Sequence, residues 1–435
     1  DLPKGAKFTA SAGIWGAPAS GQSDGVDVVL EVVEGETVTE VARRRLTIVK
    51  AEPFDADLSK WGGKKVTVRL RSEVFASPEL DYVFIGAPSI HGERDTPPRR
   101  VVVIGFDTTR PDHFGWYGYE RNTTPELDAI GNTSGVFTHA WTPAPRTRPS
   151  FRSATTGRNP LDAVRATNIG QVFRDNGFAT AGFVANIHLQ PRFDFHEGFD
   201  QWWFDGRALA HHQVERTLDF LKANEQRDAY VFMHVMDPHL LYHAPDPYTN
   251  EFVPEIDPDL PRAFTKSMVK QWMRNGTLTD LRKNHIEGLY DGELRFTSAQ
   301  IGKLIRELDK LPGDTLVVLH NDHGEEFWEH GGFEHNHTLV DEVTRGLLWV
   351  RPPGGTKGGA VTSEMPATLA DIAPTLYDYM GFQDTPKTDG ISLRPYLEGK
   401  APEPRDIGIA HLRHGTDRWA VVHDGYKYTV NTASG

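Results

Sequence analysis

The chain has 435 residues, 41 Gly, 29 Pro, no Cys and a formal net charge of −13 at pH 7. Without cysteine there is no disulfide, zinc-finger, iron–sulfur or cysteine-nucleophile chemistry, and the acidic balance argues against a general nucleic-acid binder, which carries a basic stripe. The length predicts two or three domains with sizeable cores, and no apolar run approaches the ~20 residues of a membrane span.

In chain order, residues 1 to about 95 predict strands only. Val26, Val28, Leu30 and Val32 alternate with Asp27, Val29, Glu31 and Val33, and Val66, Val68 and Leu70 alternate with Lys65, Thr67, Arg69 and Arg71. Period two with one polar face describes half-buried strands. Gly-Glu, Gly-Gly and Pro-rich breaks between them describe a β-sandwich or jelly roll. The string Asp57-Leu58-Ser59-Lys60-Trp61-Gly62-Gly63-Lys64-Lys65-Val66 resembles galactose-binding-like jelly rolls, which implies sugar binding by residues 1–95. A domain that only packs is the competing reading.

Arg94 to Arg100 (RDTPPRR) reads as a linker, assigned to residues 96–100, because paired prolines flanked by charge stop secondary structure. From 101 to 435 the rhythm changes. Continuous apolar runs at Val101–Phe106, Thr180–Ala185, Ala229–Met236, Thr315–His320 and Gly346–Val350 predict strands covered on both faces. Helical patterns follow at Leu209–Asn224, Gly288–Leu311 and Ser363–Met380. This alternation predicts an α/β fold with a mostly parallel sheet and ligands at the strand C-terminal ends. Residues 244–286, rich in Pro and Asp at first, fit neither pattern and read as an insertion or lid.

Four strand ends carry chemistry. Asp107 ends the first strand, where an acid serves as a ligand or as a turn former. Thr147, in Pro145-Arg146-Thr147-Arg148-Pro149-Ser150, puts a hydroxyl at a helix N-terminus, which favours an anion; a simple cap is the bland alternative. Asp322 and His323 follow the strand TLVVLH, and a run of histidines extends to His335 and His337. Asp237-Pro238-His239 ends another strand, with His234 and His243 nearby. Combined, they predict one site: a cation held by Asp107, Asp322, His323 and the oxygen of Thr147.

The strings Asp107-Thr108-Thr109-Arg110-Pro111-Asp112-His113, Asn122-Thr123-Thr124-Pro125 and Thr147-Arg148-Pro149-Ser150, with Thr156-Gly157, stand in a fixed order. So do Asp237-Pro238-His239, Tyr290-Asp291-Gly292-Glu293, Asp322-His323-Gly324-Glu325, His335-Asn336-His337 and Asp371-Ile372-Ala373-Pro374-Thr375. On these strings residues 99 to about 435 resemble the sulfatase family of the alkaline-phosphatase superfamily. The resemblance implies an alkaline-phosphatase-like sheet flanked by helices and an ester hydrolase. Three departures stand out. The family's formylglycine precursor, Cys or Ser, is Thr147, whose β-methyl forbids that aldehyde. The family's Arg four positions on is Phe151, although Arg148 and Arg152 flank it. The family's sulfate-binding Lys is missing from Gly182-Phe183-Val184-Ala185-Asn186-Ile187-His188. The Thr-X-Pro pattern resembles instead the threonine-dependent phosphodiesterases and phosphotransferases of the same superfamily. Their two-metal Asp and His pair is not found near Asp237, which implies one metal.

The resulting expectation is a metal-dependent hydrolase of phosphate mono- or diesters, or phosphonate esters, working through a covalent Thr147 intermediate. Asp107, Asp322 and His323 fix one divalent ion, Zn²⁺ or Mn²⁺ ahead of Ca²⁺ or Mg²⁺ because of the imidazole. Arg148 stabilises the transferring group, His239 or His337 protonates the leaving alcohol, and Arg152, Asn186 and His335 contact the substrate. Alternatives are a sulfatase without formylglycine, a phosphoethanolamine- or phosphoglycerol-type transferase, and a degenerate core that presents a glycan-binding domain. The expected partner is a small-molecule, glycan- or lipid-linked phospho- or sulfo-ester, without nucleic acid or membrane span, in a periplasmic or secreted setting. The resemblance also implies further chain after the strand-like Tyr426-Lys427-Tyr428-Thr429, so that the run to Gly435 reads as a cut end.

Overall fold

The computed structural model describes residues 1–15, 25–47, 52–75, 82–411 and 417–431. The expected cut end, residues 432–435, lies outside the described residues. The chain forms two compact units, Asp1–Pro97 and Pro98–Gly435.

The first unit consists of β1 (Lys7–Trp15), β2 (Val26–Glu34), β3 (Thr37–Leu46), β4 (Glu52–Pro53), β5 (Ala56–Asp57), β6 (Thr67–Val74) and β7 (Tyr82–His91). One antiparallel sheet joins β4, β5 and β7 to β1, and another has the order β3-β2-β6. The alternating Val26, Val28, Leu30 and Val32 share one hydrophobic cluster with Phe8, Ala12 and Ile14 of the other sheet. β2 is central, so its polar face is buried too. Asp27 there pairs with Arg45 at 2.8 Å, and Glu31 with Arg71 at 2.8 Å, across neighbouring strands. Leu58 and Trp61 of the sugar-domain string are buried in the same cluster. Their apolar side chains therefore serve packing.

The second unit begins with β8 (Arg99–Phe106), α1 (Pro125–Gly131), β9 (Gly135–Phe137), β10 (Ala140–Trp141), α2 (Thr147–Thr156), α3 (Ile169–Asp175) and β11 (Ala179–Val184). It continues with β12 (Gln201–Phe204), α4 (Ala210–Ala223), β13 (Ala229–Val235), α5 (Lys266–Asn275), α6 (Asp280–Leu308) and β14 (Asp314–Asn321). Then come β15 (Glu326–Phe327), β16 (Phe333–Glu334), β17 (Leu348–Arg351), β18 (Val361–Ser363), β19 (Ala367–Thr368) and a helix at Ile372–Met380. A small antiparallel sheet of β20 (Ile407–His411), β21 (Arg418–His423) and β22 (Tyr426–Asn431) follows.

The main sheet has eight strands in the order β12-β11-β13-β8-β14-β17-β9-β18. From β12 to β14 the pairings are parallel, whereas β17 runs antiparallel to both its neighbours. Both faces are covered, as a continuous apolar run requires. Val102, Ile104 and Phe106 of β8 pack with residues of α4 and α6. Val101 and Val103 pack on the other face with residues of α2, α3 and the helix Ile372–Met380.

Three boundaries differ from the sequence reading. Arg99 and Arg100, expected in the linker, already belong to β8, because Asp228 accepts from the Arg99 backbone N–H at 2.7 Å and holds it at the start of the strand. The helix expected over Ser363–Met380 begins only at Ile372; Ser363 ends β18 and Ala367–Thr368 form β19. α6 starts at Asp280, inside the expected 244–286 insertion, because Thr279 caps it by accepting from the Arg282 N–H.

Candidate active site

β8 lies between β13 and β14, so Asp107, Asp237 and Asp322 emerge at adjacent strand ends. The Asp107 N–H donates to Val235 O at 3.0 Å, and the Asp322 N–H to Phe106 O at 3.1 Å, which continues the sheet into the site. Thr108, between the two acids, has φ +50°, a left-handed conformation that a β-branched residue adopts only under constraint. Three hydrogen bonds supply the constraint: the Thr108 N–H to Asp322 Oδ1, Thr108 Oγ1 to Pro238 O, and the Tyr290 hydroxyl to Thr108 O.

Asp107, Asp322 and His323 are fully buried, and their side chains converge. His323 Nε2 stands 3.3 Å from Asp322 Oδ2 and 3.8 Å from Asp107 Oδ1. None of these three buried atoms has a hydrogen-bond partner. Every other polar atom of the trio is engaged. His323 Nδ1–H donates to Gly324 O, leaving Nε2 with its lone pair. Asp322 Oδ1 accepts from the Thr108 and His323 N–H groups. Asp107 Oδ2 accepts from Asn186 Nδ2 and His234 Nε2. Unpartnered oxygens and an imidazole lone pair, oriented by second hydrogen bonds, fit a divalent cation.

The electrostatics agree. Burial, and then the His335 charge, push His323 down to about 3, so it is neutral and able to ligate. Burial and the Asp107 charge push Asp322 well above the usual carboxylate range. Asp107 lies below that range: its burial is outweighed by the His234 hydrogen bond and the surrounding imidazoles. The acids thus share about one negative charge, and a cation would replace the proton on Asp322.

Thr147 is the first residue of α2, after an extended Arg146. Its first-turn backbone N–H groups and helix dipole favour an anion. Thr147 lines a cavity of about 640 Å³ with Arg148, Arg152, His188, His239 and His335. Phe151 does not face this cavity. It is fully buried under the sheet, with ring centroids 5.1 Å from His234 and 5.5 Å from His320. Gly105 makes room for it, since a Cβ there would meet the Phe151 ring at 2.4 Å.

His239 Nδ1–H donates to Leu240 O at 2.7 Å, which orients the ring and leaves Nε2 available at the cavity. His335 Nδ1 is 2.8 Å from Glu325 Oε1, and the other Glu325 oxygen accepts from the Tyr242 hydroxyl. Burial pushes Glu325 up to about 7. Two expected residues stand elsewhere. His337 has both ring nitrogens on protein oxygens, Glu326 Oε2 at 2.8 Å and His335 O at 3.1 Å, so it has no free nitrogen for a leaving group. Asn186 is 3 % exposed, and its side-chain amide is engaged with Asp107 at 2.6 Å. Arg148 and Arg152 line the cavity and stack on Phe193 and Phe195. Among the described residues none from 244–286 lines this cavity. That segment instead braces the His335 loop, with Lys266 Nζ donating to His335 O at 2.8 Å.

Sequence reasoning gave no role to His234 or Glu325. The signal for His234 was a lone imidazole in an otherwise apolar buried strand, AYVFMHV. Glu325 stood in a quoted string, but nothing in the order of residues ties it to His335.

The Sulfatase family model matches residues 99–382. The ulvan-active sulfatase of Formosa agariphila is 22 % identical over 361 residues, 72 % of this chain and 67 % of that protein. The phosphatidylethanolamine transferase Mcr-2 of Escherichia coli is 24 % identical over 260 residues, 55 % of this chain and 45 % of the relative. Among solved structures, the phosphonate monoester hydrolase of Agrobacterium radiobacter superposes with a TM-score of 0.60 at 18 % identity, covering 78 % of this chain and 90 % of that one. With the strand-end site and the eight-stranded sheet, these matches place the chain in the sulfatase family of the alkaline-phosphatase superfamily, as an ester-hydrolysing enzyme.

Proposed function

We propose that this enzyme hydrolyses phosphate mono- or diesters, phosphonate esters included, through a covalent ester on Thr147. The observation that carries the reading is Thr147 itself, the first residue of α2 in the wall of the cavity that His239 and His335 share. Its β-methyl excludes formylglycine, and the buried Phe151 supplies no cation for a sulfate.

Asp107, Asp322 and His323 would hold one divalent ion, with the Thr147 hydroxyl as a further ligand; the imidazole favours Zn²⁺ or Mn²⁺ over Ca²⁺ or Mg²⁺. Bound there, the ion supplies the Lewis acidity that ionises a threonine hydroxyl near neutrality. Thr147 Oγ1, its proton lost to solvent, forms the Oγ1–P bond as the bond from phosphorus to the leaving oxygen breaks. His239 Nε2 gives a proton to that oxygen. A water then adds to phosphorus, returns a proton to His239 and releases Thr147. The N–H groups at the start of α2 stabilise the charge that develops on the equatorial oxygens. His335, oriented by Glu325, binds the transferring group. An acceptor alcohol in place of water makes the same cycle a transfer. The reading places the enzyme outside the cytoplasm; among the described residues no helix is long and apolar enough to cross a membrane.

The test is a p-nitrophenyl ester screen (phosphate, bis-phosphate diester, phenylphosphonate and sulfate) on the full chain loaded with each metal in turn. Thr147→Ala is run in parallel. Phosphate or phosphonate turnover that disappears in Thr147→Ala is the expected result. Sulfate turnover lost in the same variant would reassign the enzyme to sulfate esters, and turnover that survives the substitution would remove Thr147 from the mechanism.

A further inference from the structure

The Thr147 cavity is lined by more positive charge than one transferring group requires. Arg148 follows Thr147 in α2, and Arg192 lies in the single turn Pro191–Phe193. The two guanidinium carbons sit 4.5 Å and 4.8 Å from the centroid of one ring, that of Phe193. Both arginines are exposed, both line the cavity, and among the described residues neither forms an ion pair with a carboxylate. The Phe193 backbone is itself fixed, because Arg152 donates to its carbonyl while stacking on Phe195 at 4.3 Å. Asp194 is the acid among the lining residues.

Two exposed guanidiniums held against one ring concentrate positive charge on this wall of the cavity, where it favours an anion. The ring orients both by cation–π attraction and leaves their N–H edges free for ligand. A guanidinium edge matches a planar carboxylate or a tetrahedral oxyanion through paired N–H donors. The cavity volume, about 640 Å³, is several times that of one tetrahedral oxyanion and falls among pockets that enclose a whole small molecule. We propose that Arg148 and Arg192, held by Phe193, form a second anion subsite, so that the substrate carries a further sulfate, phosphate or carboxylate besides the ester cleaved at Thr147. The inference rests on the reading of Thr147 as the reacting centre. It adds a substrate class to that reading: polyanionic esters.

The test is calorimetric binding, which does not depend on turnover. The metal-loaded full chain is titrated with phenylphosphonate, 4-carbamoylphenylphosphonate, 4-carboxyphenylphosphonate, 4-sulfophenylphosphonate and 1,4-phenylenediphosphonate. The carboxamide matches the carboxylate in shape but not in charge. The expected result is about tenfold tighter binding of the doubly anionic ligands than of the carboxamide, shrinking as salt is added. In Arg192→Gln the gap should fall to about twofold, with phenylphosphonate affinity nearly constant, and Arg192→Lys should restore part of it. The rank of the carboxylate, sulfonate and phosphonate identifies the second group. Equal binding of the carboxamide and carboxylate, a gap that survives Arg192→Gln, or no phosphonate binding at all would each overturn the subsite. An ester screen without turnover beside an intact gap would instead sink the hydrolytic reading and leave the subsite standing.

Discussion

Asn186 donates its side-chain amide to Asp107 Oδ2 at 2.6 Å, and its own carbonyl oxygen is held by the His188 N–H at 2.8 Å. His234 donates to the same Asp107 oxygen, because the Ala185 N–H occupies its Nδ1 and leaves the proton on Nε2. Two donors on Oδ2 turn Oδ1 toward His323, and that orientation is what a cation would meet.

Removing such an orienting group weakens metal binding about 10–100-fold in well-studied sites. Asn186→Ala should therefore lower affinity for Zn²⁺ or Mn²⁺ by that order while kcat at saturating metal stays within a few-fold. Metal titrations followed by activity and by calorimetry check this. A loss of kcat that added metal does not repair would return Asn186 to direct substrate contact.

His239 and His337 should separate cleanly. His239→Gln is expected to reduce kcat by about 10²–10⁴-fold for alkyl esters, whose leaving groups need a proton, and far less for p-nitrophenyl esters. His337→Gln should leave kcat within about threefold for both, since its ring is engaged with Glu326 and the His335 carbonyl. The readout is the slope of log kcat against leaving-group pKa for each variant.

Phe151 is a core residue in a position where the family has an arginine. Phe151→Ala should destabilise the protein by about 3–5 kcal/mol through lost contacts and a cavity. Phe151→Arg should also destabilise it, because the guanidinium would be buried against the His234 and His320 rings. Gly105→Ala should also destabilise, since its Cβ would meet the Phe151 ring at 2.4 Å. Chemical denaturation midpoints measure all three.

Asp237 and Glu293 are buried acids with three oxygens that lack hydrogen-bond partners. Burial pushes Asp237 up to about 7, and burial together with the Asp237 charge pushes Glu293 well above its usual range. A carboxyl whose folded pKa is raised holds its proton more tightly when folded. Its contribution is intact below about pH 4 and is lost as pH rises through 7. Stability should thus fall between those limits through this pair. Glu293→Gln should flatten that slope, raising Tm more at pH 8 than at pH 5. Thermal melts across pH decide it, and parallel curves for the two proteins would discard the account.

The residues by themselves determined the α/β class of the second unit and the strands that carry its site. The run Val101–Phe106 is apolar at every position, and only a strand covered on both faces has that composition. They also determined that acids and histidines stand just after such strands. Only the tertiary structure decided which of them meet. β8 lies between β13 and β14, a neighbour relation that no local pattern encodes, and it brings Asp107, His234 and Asp322 together from distant parts of the chain. It likewise decided that Asn186 donates to Asp107, that His337 is committed to Glu326 and that Phe151 faces the core. A side chain's spacing in sequence fixes where its Cα stands on an element, whereas its hydrogen-bond partner depends on what the neighbouring element presents to it.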